Sequence, residues 1–236
     1  MPKNSRLKIR PTTIETGILA HAEGSALIKM GNTHVMCAAS VERGKPRWMK
    51  NSEQRGWVTA EYSLLPRSTS TRTRRERKGL SGRTQEIQRL IGRSLRAVTD
   101  LSKIPDLTVI VDCDVIQADG GTRTAAVTGG FVALCDAVQR LIKKGDIEDD
   151  PVTDMLAAIS VGVYEGELWL DLDYVHDKDA EVDMNIVMTG SGQLVEVQGT
   201  AEGKPFSRTR LTKLVDLAAG GIEDLMKIQK KALGRK

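Results

Sequence analysis

LTVIVDCDVIQADGGTRTAAVTGGFVALCDAVQRLIKKG, residues 107–145, carries the reading that decides the fold. Leu107 to Ile116 is a β-branched run broken by Asp112 and Asp114, the composition of a strand. Asp119-Gly120-Gly121 then makes a turn, and Phe131, Leu134, Val138, Leu141 and Ile142 recur on one helical face that ends near Gly145. A glycine pair between a strand and a helix lets backbone amides approach an anion closely. Arg123, just inside the helix, adds a bidentate fork.

Upstream, residues 24–42 hold two β-prone runs around Gly31-Asn32, a short-range hairpin signal. WVTAEYSLLP (57–66) reads as another strand, closed by Pro66. From Thr84 onward Ile87, Leu90, Ile91, Leu95 and Val98 fall at helical spacing, with Arg89, Arg93 and Arg96 around the other side. Gly82 and Arg83 stand just before this helix, a second glycine-arginine pair at a helix start. Downstream, GDIEDDP near 146–151 changes the composition. The expected organisation is therefore one domain over 1–236 with sub-regions 10–145 and 151–236. The second sub-region reads as four strands, LAAISVGV, ELWLDLDY, VDMNIVMT and QLVEVQGT, followed by a helix with an apolar stripe from Leu211 to Gln229. Gly220-Gly221 interrupts that stripe and predicts a kink or a close approach. Strands then helix, twice over, predicts an α+β fold with mixed sheets flanked by helices.

A chain of 236 residues buries roughly 70–75% of its unfolded surface, enough for a sizeable core. No apolar run reaches the roughly 20 residues of a membrane helix, and no signal-peptide block follows the basic N-terminal residues. Cys37, Cys113 and Cys135 form neither an even set nor a C-x-x-C pair, which argues against disulfides and cysteine-zinc sites and for a reducing, cytoplasmic setting. Net charge is +4, yet Arg67 to Lys78 alone holds six cations and one anion, so the rest of the chain is close to neutral. One exposed basic loop facing a polyanion is the expectation. Aromatic residues are 3% of the chain, too few for a base-stacking sheet, so a nucleic acid would be held by its backbone charge.

Asp171, Asp173, Asp177, Asp179, Glu181 and Asp183 crowd into one segment. If residues 177–183 run extended, the odd-numbered carboxylates share a side and can hold a hard divalent cation such as Mg2+. His21, His34 and His176 form no metal-binding pair and are expected to be structural. No Walker lysine and no G-x-G-x-x-G strand-helix unit is present, so free phosphate is a better ligand than a nucleotide. Phosphate is itself an anionic nucleophile and needs no strong base, in keeping with the lack of a Ser-His-Asp or Cys-His arrangement.

Six blocks, in order along nearly the whole chain, resemble the ribonuclease PH family: HAEGS (21–25), GWVTAEYSLLPRST (56–69), GRTQEIQRLIGRSLRA (82–97), DCDVIQADGGTRTA (112–125), DLDYVHDKDAEVDMNIVMT (171–189) and EVQGTAEGKPFS (196–207). Gln85, where the family usually has Met, and Ser81, where it often has Gly, depart from it. The resemblance implies a pseudo-duplicated fold like the second domain of ribosomal protein S5. It also implies a homo-hexamer built as a trimer of dimers, acting as a phosphorolytic 3′-to-5′ exoribonuclease on tRNA precursors. By the matching motifs Arg83, Gly121, Thr122 and Arg123 bind phosphate, and Asp177 and Asp183 are the catalytic, metal-associated carboxylates. Arg67, Arg72 and Arg75 contribute to tRNA binding, with Arg74, Arg77, Arg89 and Arg93 completing the RNA-facing set. The rival reading is a non-catalytic RNA-binding ring subunit, which would lack the arginine or aspartate set.

Overall fold

In the computed structural model, which describes residues 5–50 and 52–235, the Gly31-Asn32 turn joins strands β2 (Gly24–Met30) and β3 (Thr33–Arg43) in register, Met30 opposite Thr33. The start of the basic N-terminal stretch, residues 1–4, lies outside the described residues. A short edge strand β1 (Thr12–Thr16), which the sequence reading lacked, pairs with β2. β5 (Leu107–Gln117) lies antiparallel to β3 and parallel to β4 (Trp57–Leu64). A parallel neighbour demands a crossover, and helix α1 (Gly82–Ala97) lies within the connection. The resulting five-stranded sheet has the order β1-β2-β3-β5-β4.

The second sheet is fully antiparallel, in the order β7-β6-β8-β9, from β6 (Leu156–Tyr164), β7 (Glu167–Leu170), β8 (Val182–Thr189) and β9 (Leu194–Ala201). Between the sheets runs α2 (Thr122–Lys144), packed on β2, β3 and β5 from one side and on β6 from the other. Contact on two sides explains its composition: every residue from Thr124 to Cys135 is buried. By length and composition α2 could cross a membrane, but 78% of its most apolar window lies inside the protein. The last helix, α4 (Arg208–Ala232), covers the second sheet. It is unbroken at Gly220-Gly221. A Cβ at Gly221 would come within 2.8 Å of Leu170 Cδ1 and 2.9 Å of Ile159 Cδ1, so the glycine serves close packing and not a kink.

The acidic segment is not one extended run. β7 ends at Leu170, Asp173 caps a short helix α3 (Tyr174–Lys178) by accepting from His176 N at 3.1 Å, and β8 starts only at Val182. Asp177 thus lies on a helix and Asp183 on a strand, so period-2 spacing does not align them; the tertiary fold does.

Candidate active site

Two successive left-handed residues build the anion turn. Gly120 (φ +71°) and Gly121 (φ +62°) follow two residues after β5, and a Cβ at Gly120 would lie 2.4 Å from Leu172 O and 2.6 Å from Asp173 C. Only glycine lets this turn press against the backbone leading into α3. Gly121 is the N-cap of α2 and offers no side-chain acceptor, whereas Ser81, Asp173 and Ser207 each cap their own helices. The first amides of α2 therefore remain open to an outside anion.

Thr122 is buried behind this turn. Tyr62 Oη donates to Thr122 Oγ1 at 2.9 Å, which leaves the threonine hydroxyl hydrogen free to donate elsewhere. Burial pushes the Tyr62 phenol up, keeping it a neutral donor. The Arg123 side chain is 16% exposed; its Nη1 donates to Gln198 Oε1 and lies 3.6 Å from Glu86 Oε1.

α1 contributes differently from its expected role. Gly82 and Arg83 form the first turn of the helix instead of preceding it, and the Thr84 amide is already taken by Ser81 Oγ at 3.2 Å. Glu76 accepts from Thr84 Oγ1 at 3.0 Å. The end of α1 thus carries its own acceptors, and its offering to an anion is the exposed guanidinium of Arg83.

Asp177 and Asp183 are brought together with both arginines. Burial and the neighbouring Asp177 push the Asp183 carboxyl up to about 6. Burial also raises Asp177, opposed by the hydrogen bond with Asp183 and by Arg123, Arg83 and Arg10. Asp183 Oδ1 is buried with no hydrogen-bond partner. Two half-buried carboxylates side by side, one with an orphaned oxygen, suit a hard divalent cation. No cluster of three or more acidic, histidine or cysteine ligands occurs among the described residues, so water or substrate oxygens would complete the shell of a Mg2+ ion.

The other acids do structural work. Asp171 is fully buried at φ +55° and accepts from Arg10 N at 2.8 Å and Arg10 Nη2 at 2.7 Å, while Arg10 Nη1 donates to Asp119 O at 2.5 Å. One guanidinium thereby ties the anion turn to the segment leading into α3. Arg10→Lys keeps the charge but loses this fork, and is expected to cost roughly 1.5–3 kcal/mol. The measurement is a lower denaturant midpoint at unchanged slope. Asp173 takes the His176 ring at 2.6 Å, and that ring stacks on Trp169 at 4.0 Å, a packing role for the histidine. Asp179 is exposed, and Glu181 accepts from Gly166 N at 2.7 Å.

Arg67, Arg72, Arg74, Arg75 and Arg77 all lie exposed in a loop without regular structure. Arg74, Arg75 and Arg77 form one wall of a cleft of about 650 Å³ that reaches Arg83. The floor of this cleft is acidic, with Glu61, Asp112 and Asp114 on neighbouring strands. Burial pushes Asp112 and Asp114 up, and Arg75 opposes the shift at Asp114. Arg89 is exposed on α1, and Arg93 pairs with Glu196 at 3.3 Å.

Residues 8–139 match domain 1 of the 3′ exoribonuclease family and residues 154–221 match its domain 2. The chain belongs to the 3′ exoribonuclease family. Ribonuclease PH of Moorella thermoacetica is 60% identical over 229 residues, covering 96% of this chain and 91% of that protein. Among solved structures, rice (Oryza sativa) Rrp46 superposes with a TM-score of 0.78 at 18% identity, over 98% of this chain and 97% of that one. An Archaeoglobus fulgidus exosome with RNA bound to the active site gives 0.77 at 21% identity, over 94% and 89%. These two share the 3′ exoribonuclease fold. Within it, Arg10, Tyr62, Glu86 and Gln198 are site residues that motif reading did not find. Each acts across at least 37 residues of chain, so no local spacing marks them.

Proposed function

We propose that this 3′ exoribonuclease is the phosphorolytic kind, which trims the 3′ ends of tRNA precursors with inorganic phosphate as the attacking reagent. The carrying observation is that Arg123, in the first turn of an uncapped helix, and Arg83 both bear electrostatically on Asp177, which is hydrogen-bonded to Asp183. Phosphate bound by Arg83, Arg123, the Thr122 hydroxyl and the amides after Gly121 stands as a fixed nucleophile. Its oxygen bonds to the phosphorus of the terminal phosphodiester while the P–O3′ bond breaks. The proton carried by hydrogen phosphate is available to the departing 3′-oxygen. The products are a nucleoside 5′-diphosphate and an RNA one residue shorter.

Asp177 and Asp183 would hold a divalent cation, Mg2+ by its hardness, which when bound supplies positive charge next to the phosphoryl group and the leaving oxygen. Arg67, Arg72, Arg74, Arg75 and Arg77, with Arg89 and Arg93, are the surface offered to the RNA backbone. The same reading assigns the chain to a homo-hexamer built as a trimer of dimers. Trp48, Tyr174, Val175 and Leu194, all more than half exposed, are apolar surface that subunit contacts would cover.

Supplied with a 3′-extended tRNA, the protein is expected to release nucleoside diphosphates in phosphate buffer and to stop when phosphate is removed. Equal shortening without phosphate, with monophosphates as product, would instead mean hydrolysis by water.

A further inference from the structure

We propose that Gln198 is a positioning residue for Arg123, reaching from the second sheet to aim the guanidinium at the anion; this rests on the phosphate reading above. β8 and β9 pair with Asp183 opposite Thr200 and Asn185 opposite Gln198. Alternate residues of a strand share a face, and cross-strand partners share it too, so Gln198 and Asp183 are presented on the same side of the sheet. One face of the sheet thus delivers both a catalytic carboxylate and a hold on the phosphate-binding arginine.

The amide group is what the position requires. Gln198 Oε1 accepts from Arg123 Nη1, and Gln198 Nε2 donates to Glu86 Oε1 at 3.2 Å. Glu86 Oε1 lies only 3.6 Å from Arg123 Nη1 and could draw the guanidinium to itself. Gln198 satisfies both groups at once, its carbonyl fixing the cation and its NH2 occupying the carboxylate. A hydrocarbon would do neither. A carboxylate would hold the arginine but add negative charge where an anion must bind. The site therefore calls for a neutral group with both a donor and an acceptor.

The test is steady-state phosphate dependence of the full-length protein on a 3′-extended tRNA. Gln198→Leu is expected to raise the KM for phosphate about tenfold, the size of one hydrogen bond to a charged group. Turnover at saturating phosphate and the KM for RNA should stay within about twofold of wild type. Gln198→Glu should raise the phosphate KM further than Gln198→Leu, and that order separates aiming from packing. If both variants keep the wild-type phosphate KM, or lose RNA affinity and thermal stability in the same proportion, Gln198 does not position Arg123. The wild type run alongside separates the two readings. If it needs no phosphate, the phosphorolytic reading fails whatever Gln198 does; if it depends on phosphate while the variants are indifferent, only the role of Gln198 fails.

Discussion

Replacing Arg123 by alanine is expected to lower kcat/KM for phosphorolysis by about 10²–10³ while the protein stays folded, because the change removes a charge-assisted clamp on the nucleophile itself. The arginine enters α2 at its second residue, ahead of the buried run from Thr124 to Cys135, so the core does not depend on it. Its loss reaches further than the anion. Arg123 is the opposite charge holding Asp183 down, so without it the Asp183 carboxyl shifts still higher and the acid pair is less ionised. Arg123→Lys keeps the charge but not the planar fork and should fall between alanine and wild type. Phosphate titrations paired with thermal melts check both halves of the expectation. Near-normal turnover at low phosphate, or unfolding of the alanine variant, would remove Arg123 from the role given to it.

The fold was legible wherever a local pattern records a local cause. β5, the glycine pair and α2 follow from β-branched composition, turn residues and helical spacing inside one stretch of chain, and β2, β3, β4 and α1 stand where such signals lie. β1 escaped because TTIET alternates partly buried with exposed positions and leaves Ile14 as its single large apolar residue. The acidic segment misled for a related reason: the odd-numbered acids imitate strand periodicity, while Asp173 uses its side chain to start a helical turn instead. The site was legible in its parts and not in its wiring. Glycine pairs, arginines and aspartates announce anion and cation chemistry by type. Tyr62 on Thr122, Gln198 on Arg123 and Arg10 on Asp171 join residues 60, 75 and 161 positions apart, distances over which a single sequence carries no spacing rule.

Asp183→Asn should reduce turnover by about 10³ and leave RNA binding in place, since it removes half of the carboxylate pair and none of the basic loop. It should also stabilise the protein in metal-free buffer, with a definite pH dependence. The folded-state Asp183 carboxyl titrates at about 6 against an ordinary 3.8, so the folded protein binds this proton more tightly than the unfolded chain does. The stability it contributes is fully present below about pH 4 and is lost as pH rises through about 6. Above that pH two half-buried carboxylates repel each other. An asparagine has no charge to bury, so the variant is expected to melt above wild type near pH 7.5 and to converge with it toward pH 4. A divalent cation relieves the same repulsion, so Mg2+ should raise the wild-type melting temperature above about pH 6 and act much less on Asp183→Asn. Were RNA affinity to fall in step with turnover, Asp183 would be shaping the RNA surface, and the carboxylate pair would not be the place where charge on the reacting phosphoryl group is managed.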